Sequence, residues 1–254
     1  MSGAVVSPRA GWRTGILIVL IAAAFAVLVG LGTWQMRRLH WKEGLLAAID
    51  QRIHSQPIDL AEAERRFART GDIDYWPVTV AGRLVNGDER HFFTTWESTS
   101  GYNIYTPLEL DDGRYLFVNR GFVPFDQKEP ATRPQGQIEG RVEITGLARN
   151  PVPAKPSWIV PENDPAKNIF YWKDLSAMAA TSGLPASARV LPFFLDAGPA
   201  PNPGGLPIGG VTIIDLPNSH LQYAMTWYGL AAALLAVSGL LFWRRWRPTG
   251  EPRP

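Results

Sequence analysis

Two long apolar stretches stand out in the hydrophobic pattern of the chain. Residues 14–36 and residues 221–243 contain no charged side chain. Each has roughly the 20 residues that an α-helix needs to cross the hydrocarbon core of a bilayer. The pattern therefore predicts two transmembrane helices with a large domain between them.

A cleaved signal peptide is the alternative interpretation of the first stretch. The small residues 22–24 could end a short apolar core, as they do before a cleavage site. The apolar run continues to Gly32 and Thr33, however, and this length favours an uncleaved membrane anchor.

Helical periodicity continues beyond the first stretch. Apolar residues recur at helical spacing among charged residues from Leu39 to Ile53, which predicts that the helix runs on as an amphipathic arm. Asp59 and Asp174 each stand near the start of a run with helical character, over residues 59–68 and 172–181. Both aspartates are therefore predicted to cap short helices.

In the central part of the chain the apolar period changes to two, the period of a β-strand. Turn signals at residues 86–88 and 111–113 predict hairpins. The predicted strands are residues 78–84, 90–96, 104–110, 115–123, 137–147 and 191–196, with residues 211–214 as an edge strand.

These patterns predict an α+β membrane protein. Two transmembrane helices flank one antiparallel β-rich extracytoplasmic domain with a few short helices, and a domain of roughly 150 residues can bury a single core. The predicted segments are a cytoplasmic N-terminal arm (1–13), transmembrane helix 1 (14–36), the periplasmic α+β domain (37–215), transmembrane helix 2 (219–243) and a cytoplasmic tail (244–254).

The distribution of charge predicts the orientation. Residues 37–215 contain 19 Lys and Arg against 22 Asp and Glu, a net charge of −3, whereas the two ends contain six against one, a net charge of +5. Arg244, Arg245 and Arg247 lie in a short tail, and such tails stay in the cytoplasm, while long loops are translocated largely regardless of charge. Both termini are therefore predicted to be cytoplasmic. The mildly acidic domain argues against a nucleic acid partner.

Residue types needed for several kinds of chemistry are missing from the sequence. The chain has no cysteine, which excludes disulfides, thiolate metal sites and thiol redox chemistry. His40, His54 and His91 are too scattered in the sequence to predict a metal site. We find no nucleophile elbow, P-loop or acid–base constellation, so the protein is predicted not to be an enzyme.

A predicted strand rich in β-branched residues is interrupted by Arg120 followed by Gly121. Gly121 predicts a bulge or a close approach of another backbone segment. A kinked edge strand with a solvated Arg120 is one interpretation. The other places Arg120 against a carboxylate of a neighbouring element or of a ligand, where its planar fork is favoured.

The start of the second apolar stretch carries a histidine. Ser219 and Gln222 fit a capping box, which predicts that the helix begins near His220. The exposed amides of a first helical turn favour a neutral imidazole, the form that ligates a metal. A purely structural histidine is the alternative, because an interfacial position lowers the cost of a polar group.

Small residues predict how the two helices pack. They recur every four positions from Ala22 to Gly30 and every seven positions from Ala224 to Ser238, which is typical of close helix contacts. If the helices are antiparallel, the start of the second meets the end of the first. The side chains then predicted to form a polar and aromatic pocket, able to hold a flat macrocycle with acidic side groups, are His220, Tyr223, Trp227, Trp34, Gln35, Arg37 and Arg38. Aromatic anchoring at the membrane interface is the alternative for Trp34.

Four motifs occur in a defined order along the chain. They are Gly-Thr-Trp-Gln at 32–35 with Arg37, Trp41 and Lys42; Tyr-Thr-Pro-Leu at 105–108; Val-Asn-Arg-Gly-Phe-Val-Pro at 118–124; and Pro-Asn-Ser-His-Leu-Gln-Tyr-Ala at 217–224 with Thr-Trp-Tyr at 226–228. In these motifs the sequence resembles the surfeit locus protein 1 family, whose members are assembly factors of haem-copper cytochrome c oxidase. Phe122 stands where many members have Trp, a departure that leaves Arg120 and Gly121 intact.

The resemblance implies a non-enzymatic helper in the bacterial inner membrane. It implies haem a as a transient cofactor, oxidase subunit I as the partner that receives it, and haem a synthase as a further partner. It makes His220 the ligand of the haem iron and puts Tyr223, Trp227 and Trp34 against the macrocycle, with Arg37 or Arg38 on the propionates. Arg120, Gly121 and Gln35 belong to the shared motifs and are assigned a structural or partner-binding role.

Three other functions are alternatives to haem chaperoning. The main alternative is a membrane scaffold that stabilises an intermediate of subunit I without binding haem. Copper delivery would need thiolates or clustered Met and His, whereas this chain has no Cys and four scattered Met. A haem-modifying enzyme would need an acid–base or redox constellation, and we find none.

Overall fold

The computed structural model describes residues 8–212 and 218–246. The chain divides into two compact units, one formed by Met1–Ala47 with Asp215–Pro254 and the other by Ala48–Ile214. In chain order the helices and strands are α1 (Pro8–Ile53), β1 (Ile58–Asp59), α2 (Leu60–Thr70), β2 (Pro77–Leu84), β3 (Arg90–Trp96), β4 (Thr99–Leu110), β5 (Tyr115–Pro124), β6 (Arg141–Arg149), α3 (Leu175–Thr181), β7 (Val190–Ala197) and α4 (His220–Trp246).

Helices α1 and α4 carry the two apolar stretches. Among the described residues, these are the two helices that are long and apolar enough to cross a membrane. α1 continues without a break to Ile53, as the periodicity of the arm predicts, and α4 begins at His220, as the capping box predicts. Their large apolar side chains are mostly exposed, for example Val19 at 67% and Leu241 at 62%, unlike those of a buried core helix.

The two helices pack as an antiparallel pair. Gln35 contacts His220, whereas Gly32, earlier in α1, contacts Tyr228, later in α4. Ala224 is buried at this contact, which confirms the predicted small-residue face of α4.

The small-residue face predicted for α1 is wrong. Ala22, Ala26 and Gly30 are exposed, and a Cβ added at Gly30 would meet nothing within 4 Å. A Cβ at Gly32 would instead lie 2.8 Å from the ring of Tyr228. Because α-helical residues are spaced by about 100°, Gly32 and Gln35 share a face from which Gly30 points away.

The second unit is a β-barrel. Within the described residues, seven strands pair in the order β1-β2-β6-β7-β5-β4-β3, and an additional pairing of β2 with β4 closes the barrel. The β-rich prediction is confirmed, but the sheet is mixed, not antiparallel. β1 pairs with β2 in parallel, and β5 pairs with β7 in parallel, because the long segment between β5 and β7 lets the chain return in the same direction.

The barrel has an inner and an outer apolar cluster. Leu116, Val118 and Leu195 belong to the inner core, which α2 covers at one end with Ala63 and Phe67. The alternate residues of the same strands point outward, where Phe117 and Phe194 pack under α3. Both short helices begin as predicted, since Asp59 accepts a bond from the amide of Glu62 and Asp174 from the amide of Ala177.

Several boundaries of strands and turns differ from those predicted. The turn at residues 111–113 joins the paired strands β4 and β5, as predicted, but the turn at 86–88 is a short 3₁₀ helix between β2 and β3, which do not pair with each other. β4 begins at Thr99, directly after a tight turn, and β6 begins at Arg141. Val211 and Thr212 are not in a strand, and the rest of the predicted edge strand lies outside the described residues, as do Pro217 and most of both predicted cytoplasmic arms.

Candidate functional site

The start of α4 places His220 against α1. Its Nδ1 lies 2.8 Å from Oε1 of Gln35, a residue that is only 9% exposed. An amide oxygen can only accept, so Nδ1 carries the hydrogen and donates it. In a neutral imidazole this leaves Nε2 with its lone pair, and no hydrogen bond to Nε2 occurs within residues 8–212 and 218–246. Gln35 thus selects the tautomer that can ligate a metal through Nε2.

The contact between Thr33 and Tyr228 shows which side chains share a flank of the helix pair. Their hydroxyl oxygens are 3.1 Å apart. Because each helix turns by about 100° per residue and the helices are antiparallel, Trp34 and Arg38 lie on the opposite flank of α1. Tyr223 lies on that same opposite flank of α4. Trp34 and Tyr223 are 57% and 54% exposed, so together they present a broad aromatic surface.

The remaining predicted site residues divide between the flank and the back of the pair. Trp227 is half-buried and points between the seam and the flank that carries Tyr223. The guanidinium of Arg38 stacks 4.1 Å from the ring centroid of Trp41, a geometry that keeps its in-plane N–H donors available. Arg37 is exposed on the face of α1 that points away from α4, so the helix geometry does not bring it to His220.

Arg120 lies inside the barrel unit, and the interpretation as a solvated residue of a kinked edge strand was wrong. β5 is a central strand and Arg120 is 3% exposed. Its Nη2 donates to the carbonyl of Gly136 at 2.6 Å and to Oδ1 of Asn202 at 3.2 Å, and Nη1 donates to Oδ1 of Asn86 at 3.4 Å. Its partners are thus neutral oxygens, not a carboxylate. Burial lowers the pKa of Arg120 to about 10, so the guanidinium stays charged at physiological pH.

Gly121 confirms the predicted bulge and close approach. Register between β4 and β5 shifts at this point, and Gly121 has a φ of +119°. A Cβ there would lie 1.8 Å from the carbonyl oxygen of Ile208, and Phe122 exchanges both backbone hydrogen bonds with Ile208. The Arg-Gly pair therefore joins β5 to the loops on either side of it, which is a structural role.

A buried ionic cluster was missed by the sequence analysis. Glu89 and His91 are each 2% exposed and are joined through Oε1 and Nε2 at 2.8 Å, and Arg133 also donates to Glu89 Oε1. The signal was present in the three consecutive charged or titratable residues Glu89, Arg90 and His91 at the start of β3. Such a run is unusual in a strand, but its partner Arg133 is distant in sequence and could not be identified.

Metal binding by protein side chains alone has no support in the part of the chain that the structure describes, where no group of three or more His, Asp or Glu is arranged to hold an ion. A single histidine is enough for a haem, because the macrocycle supplies the four equatorial ligands of the iron and the histidine need supply only an axial one. The donor set at the start of α4, one imidazole with an available nitrogen beside aromatic rings and a guanidinium, fits such a group.

Comparison with known proteins agrees with the sequence motifs. The model of the SURF1 family matches residues 22–232. The chain belongs to the SURF1 family. The match begins within α1 and ends within α4, so both Gln35 and His220 lie inside it. The predicted family membership is thereby confirmed.

Individual relatives cover most of the chain. The surfeit locus protein 1 of Mus musculus is 36% identical in an alignment of 233 positions that covers 85% of this chain and 71% of that protein. The surfeit locus protein 1 of Homo sapiens is 35% identical in an alignment of 235 positions that covers 86% of this chain and 73% of that protein. The SURF1-like protein of Monosiga brevicollis is 34% identical in an alignment of 238 positions that covers 89% of this chain and 87% of that protein.

Proposed function

We propose that this chain is a non-catalytic assembly factor for haem-copper cytochrome c oxidase that binds haem a at the helix pair and assists its insertion into subunit I. The observation that carries the proposal is the hydrogen bond between His220 Nδ1 and Gln35 Oε1, which leaves Nε2 available. Membership of the SURF1 family supports the assembly role. Subunit I is the proposed recipient, and haem a synthase the proposed donor.

The residues around His220 have distinct tasks in this proposal. His220 would supply one axial ligand to the haem iron through Nε2, and a single exchangeable histidine suits a group that must later leave. Trp34 and Tyr223 on the exposed flank would contact the macrocycle, with Trp227 at the seam. Arg38, which shares this flank, would pair with a propionate through its in-plane donors. Arg37 points away and is left out of the site.

We place the protein in a bacterial inner membrane with α1 and α4 as its spans. Two spans put both ends of the chain on one side, and the arginines in the last turn of α4, Arg244 and Arg245, favour the cytoplasm for that end. The barrel unit would then be periplasmic. Its charges are balanced within it by many ion pairs, for example Arg83 with Glu109 and Arg141 with Asp111.

A scaffold that never binds haem is the second candidate, and one observation favours it. An apolar groove with a volume of about 630 Å³ runs between the two helices and is lined by residues such as Leu28, Leu230 and Leu234. A helix of subunit I could pack there, because helices in membranes associate through close van der Waals contact. In that case the groove, and not His220, would be needed for assembly.

An absorption spectrum separates the two candidates. The full chain is purified in detergent from cells that make haem a, beside His220→Ala and the control His40→Ala, an exposed histidine of α1 whose Nδ1 also has an oxygen partner, the carbonyl of Met36 at 2.8 Å. We expect haem a in the wild type and in His40→Ala, and a lost or shifted spectrum in His220→Ala. A wild type without haem, or identical spectra for all three proteins, would leave the scaffold as the function.

A further inference from the structure

A small polar pocket lies on the outer face of the barrel and is lined only by residues of the barrel unit. It has a volume of about 210 Å³, and the residues that matter for its chemistry are Trp96, Asn103, Asn119, Arg149, Lys173 and Asp196. We call it the Lys173 pocket. Neither haem binding nor the family comparison explains it.

The floor of the Lys173 pocket consists of polar residues that interrupt an apolar surface. Outward positions of β5 and β7 are paired in register, Phe117 with Phe194 and then Asn119 with Asp196. The phenyl groups are fully buried, and the two polar residues that follow are still only 3% exposed. Burying polar groups costs free energy unless they are bonded, so a purely structural surface would more simply have continued as apolar.

Asp196 already has its partners. Oδ1 accepts from the amide of Asn119 at 3.0 Å, and Oδ2 accepts from the hydroxyl of Thr212 at 3.0 Å. Arg149 lies 3.5 Å from Oδ2 and also donates to Asp74. The carboxylate of Asp196 and the guanidinium of Arg149 are thus engaged with one another and with neighbours.

Lys173 is held less closely by Asp196 than Arg149 is, since its ion pair with that carboxylate is 4.0 Å long against 3.5 Å for Arg149. Its Nζ is 4.0 Å from Asp196 Oδ2, beyond hydrogen-bond distance, and 5.6 Å from the ring centroid of Tyr105. No hydrogen bond from Nζ is present in the described ranges 8–212 and 218–246. Desolvation on burial lowers the pKa of Lys173 in spite of the nearby carboxylate of Asp196. An anion that entered the pocket would relieve this cost.

A second group in the pocket also lacks a hydrogen-bond partner. Oδ1 of Asn103 is buried and, among the described residues, accepts no hydrogen bond. A buried acceptor without a donor is unfavourable, because it has lost its hydrogen bonds to water without replacing them. Beside it, Trp96 and Phe92 supply aromatic surface from β3.

We propose that the Lys173 pocket binds a small carboxylate that also carries a hydroxyl or amide N–H. Lys173 pairs with the carboxylate, Asn103 Oδ1 accepts from the donor, and Trp96 contacts the carbon skeleton. The volume of the pocket suits a group of about five to ten non-hydrogen atoms. A free hydroxy acid and a glutamate residue of a partner polypeptide, through its side-chain carboxylate and its backbone N–H, both meet this description.

The test measures protection of Lys173 in the full-length, detergent-purified protein. An amine-reactive reagent is applied with lactate, with N-acetylglutamate amide or with neutral lactamide, and modified lysines are quantified by peptide mass spectrometry. We expect both carboxylates to slow labelling of Lys173 in a saturable manner and lactamide to leave it unchanged. Lys167 is the internal control, because its side chain is 75% exposed and paired with Asp164 outside the pocket.

Variants test whether binding depends on Lys173 and on Asn103. Binding is followed by saturation-transfer NMR on the ligand. Lys173→Met is expected to weaken binding about tenfold or more, and Asn103→Ala about fivefold, whereas Lys128→Met, outside the pocket, leaves it unchanged.

The outcomes distinguish the two sources of the carboxylate, or they show that the pocket is not a binding site. Tighter binding of N-acetylglutamate amide than of lactate indicates a partner polypeptide, and the reverse order indicates a free hydroxy acid. If neither carboxylate slows labelling of Lys173, the proposal is overturned. The same holds if Lys173→Met binds both carboxylates as well as the wild type does.

Discussion

At the scale of single residues, Gln35 decides which nitrogen of His220 is available. Its oxygen accepts from Nδ1, so replacement by Leu removes the group that sets the tautomer and the ring orientation. Loss of such a supporting partner commonly lowers metal affinity by about 10–100-fold, and we expect haem a occupancy of Gln35→Leu to fall by about tenfold or more. The measurement is the haem-to-protein ratio after purification.

A matched control for Gln35→Leu exists on the other flank. Thr33→Val removes the hydroxyl that bonds to Tyr228 but leaves His220 and Gln35 in place. We expect it to keep the wild-type haem ratio. Equal occupancy in Gln35→Leu and Thr33→Val would show that the tautomer of His220 is irrelevant.

Arg120 is a second residue whose chemistry can be tested singly. Three neutral oxygens accept from its guanidinium, and a lysine at this position could not reach all of them. Arg120→Lys is therefore expected to lower the free energy of unfolding by about 2 kcal/mol, measured by chemical denaturation. Arg83→Lys is the control, since this exposed ion pair should change stability by less than about 0.5 kcal/mol. Similar losses in both variants would contradict a special role of the planar fork.

At the scale of elements, Gly32 sets how closely α1 and α4 approach. A side chain there would push against the ring of Tyr228, whereas Gly30 has open space around it. We expect Gly32→Leu to separate the helices, break the contact between Gln35 and His220, and lose most of the bound haem, while Gly30→Leu keeps it. Haem ratio and thermal stability in detergent are the readouts. A normal Gly32→Leu protein would mean that the helices pack differently.

The bulge in β5 gives another element-scale prediction. Gly121→Ala combines a positive φ with a clash against Ile208, whereas Gly113→Ala has a positive φ and nothing within 4 Å of the added Cβ. We expect about 1 kcal/mol of destabilisation for Gly113→Ala and about 3 kcal/mol or more for Gly121→Ala. The difference, measured by chemical denaturation, isolates the close approach of the two backbones. Equal values would show that strain in φ accounts for both.

Elements set by the local pattern of residue types were predictable from the sequence. Elements set by pairing with distant segments were not. β3 matches its predicted residues because Arg90–Trp96 is rich in aromatic and β-branched residues, which favour strands wherever their partners lie. The turn at 86–88 has the composition of a hairpin, yet composition is the same whether or not the flanking strands pair. Glu97 and Ser98, with φ of 46° and 66°, turn the chain without a glycine or proline signal, so the start of β4 was missed.

The candidate site shows the same division. The position of His220 at the start of α4 was predictable because the capping box and the apolar run after it are local signals. Arg37 could be left out of the site only once it was known which face of α1 meets α4. That face depends on packing with a distant segment, as the separation of 185 residues between Gln35 and His220 shows. Parallel pairing of β5 with β7 and the partner of Glu89 are likewise long-range facts.

At the scale of the whole molecule, the proposed arrangement of two spans around one domain predicts where each part is exposed. Because the chain has no cysteine, single cysteines report on position without a background. We expect Glu139→Cys, at an exposed position of the barrel unit, to react with a membrane-impermeant thiol reagent in intact bacterial spheroplasts. A cysteine added after the last residue should react only once the membrane is permeabilised. Labelling of the C-terminal cysteine in intact spheroplasts would reverse the orientation, and labelling of both would leave no room for two full spans.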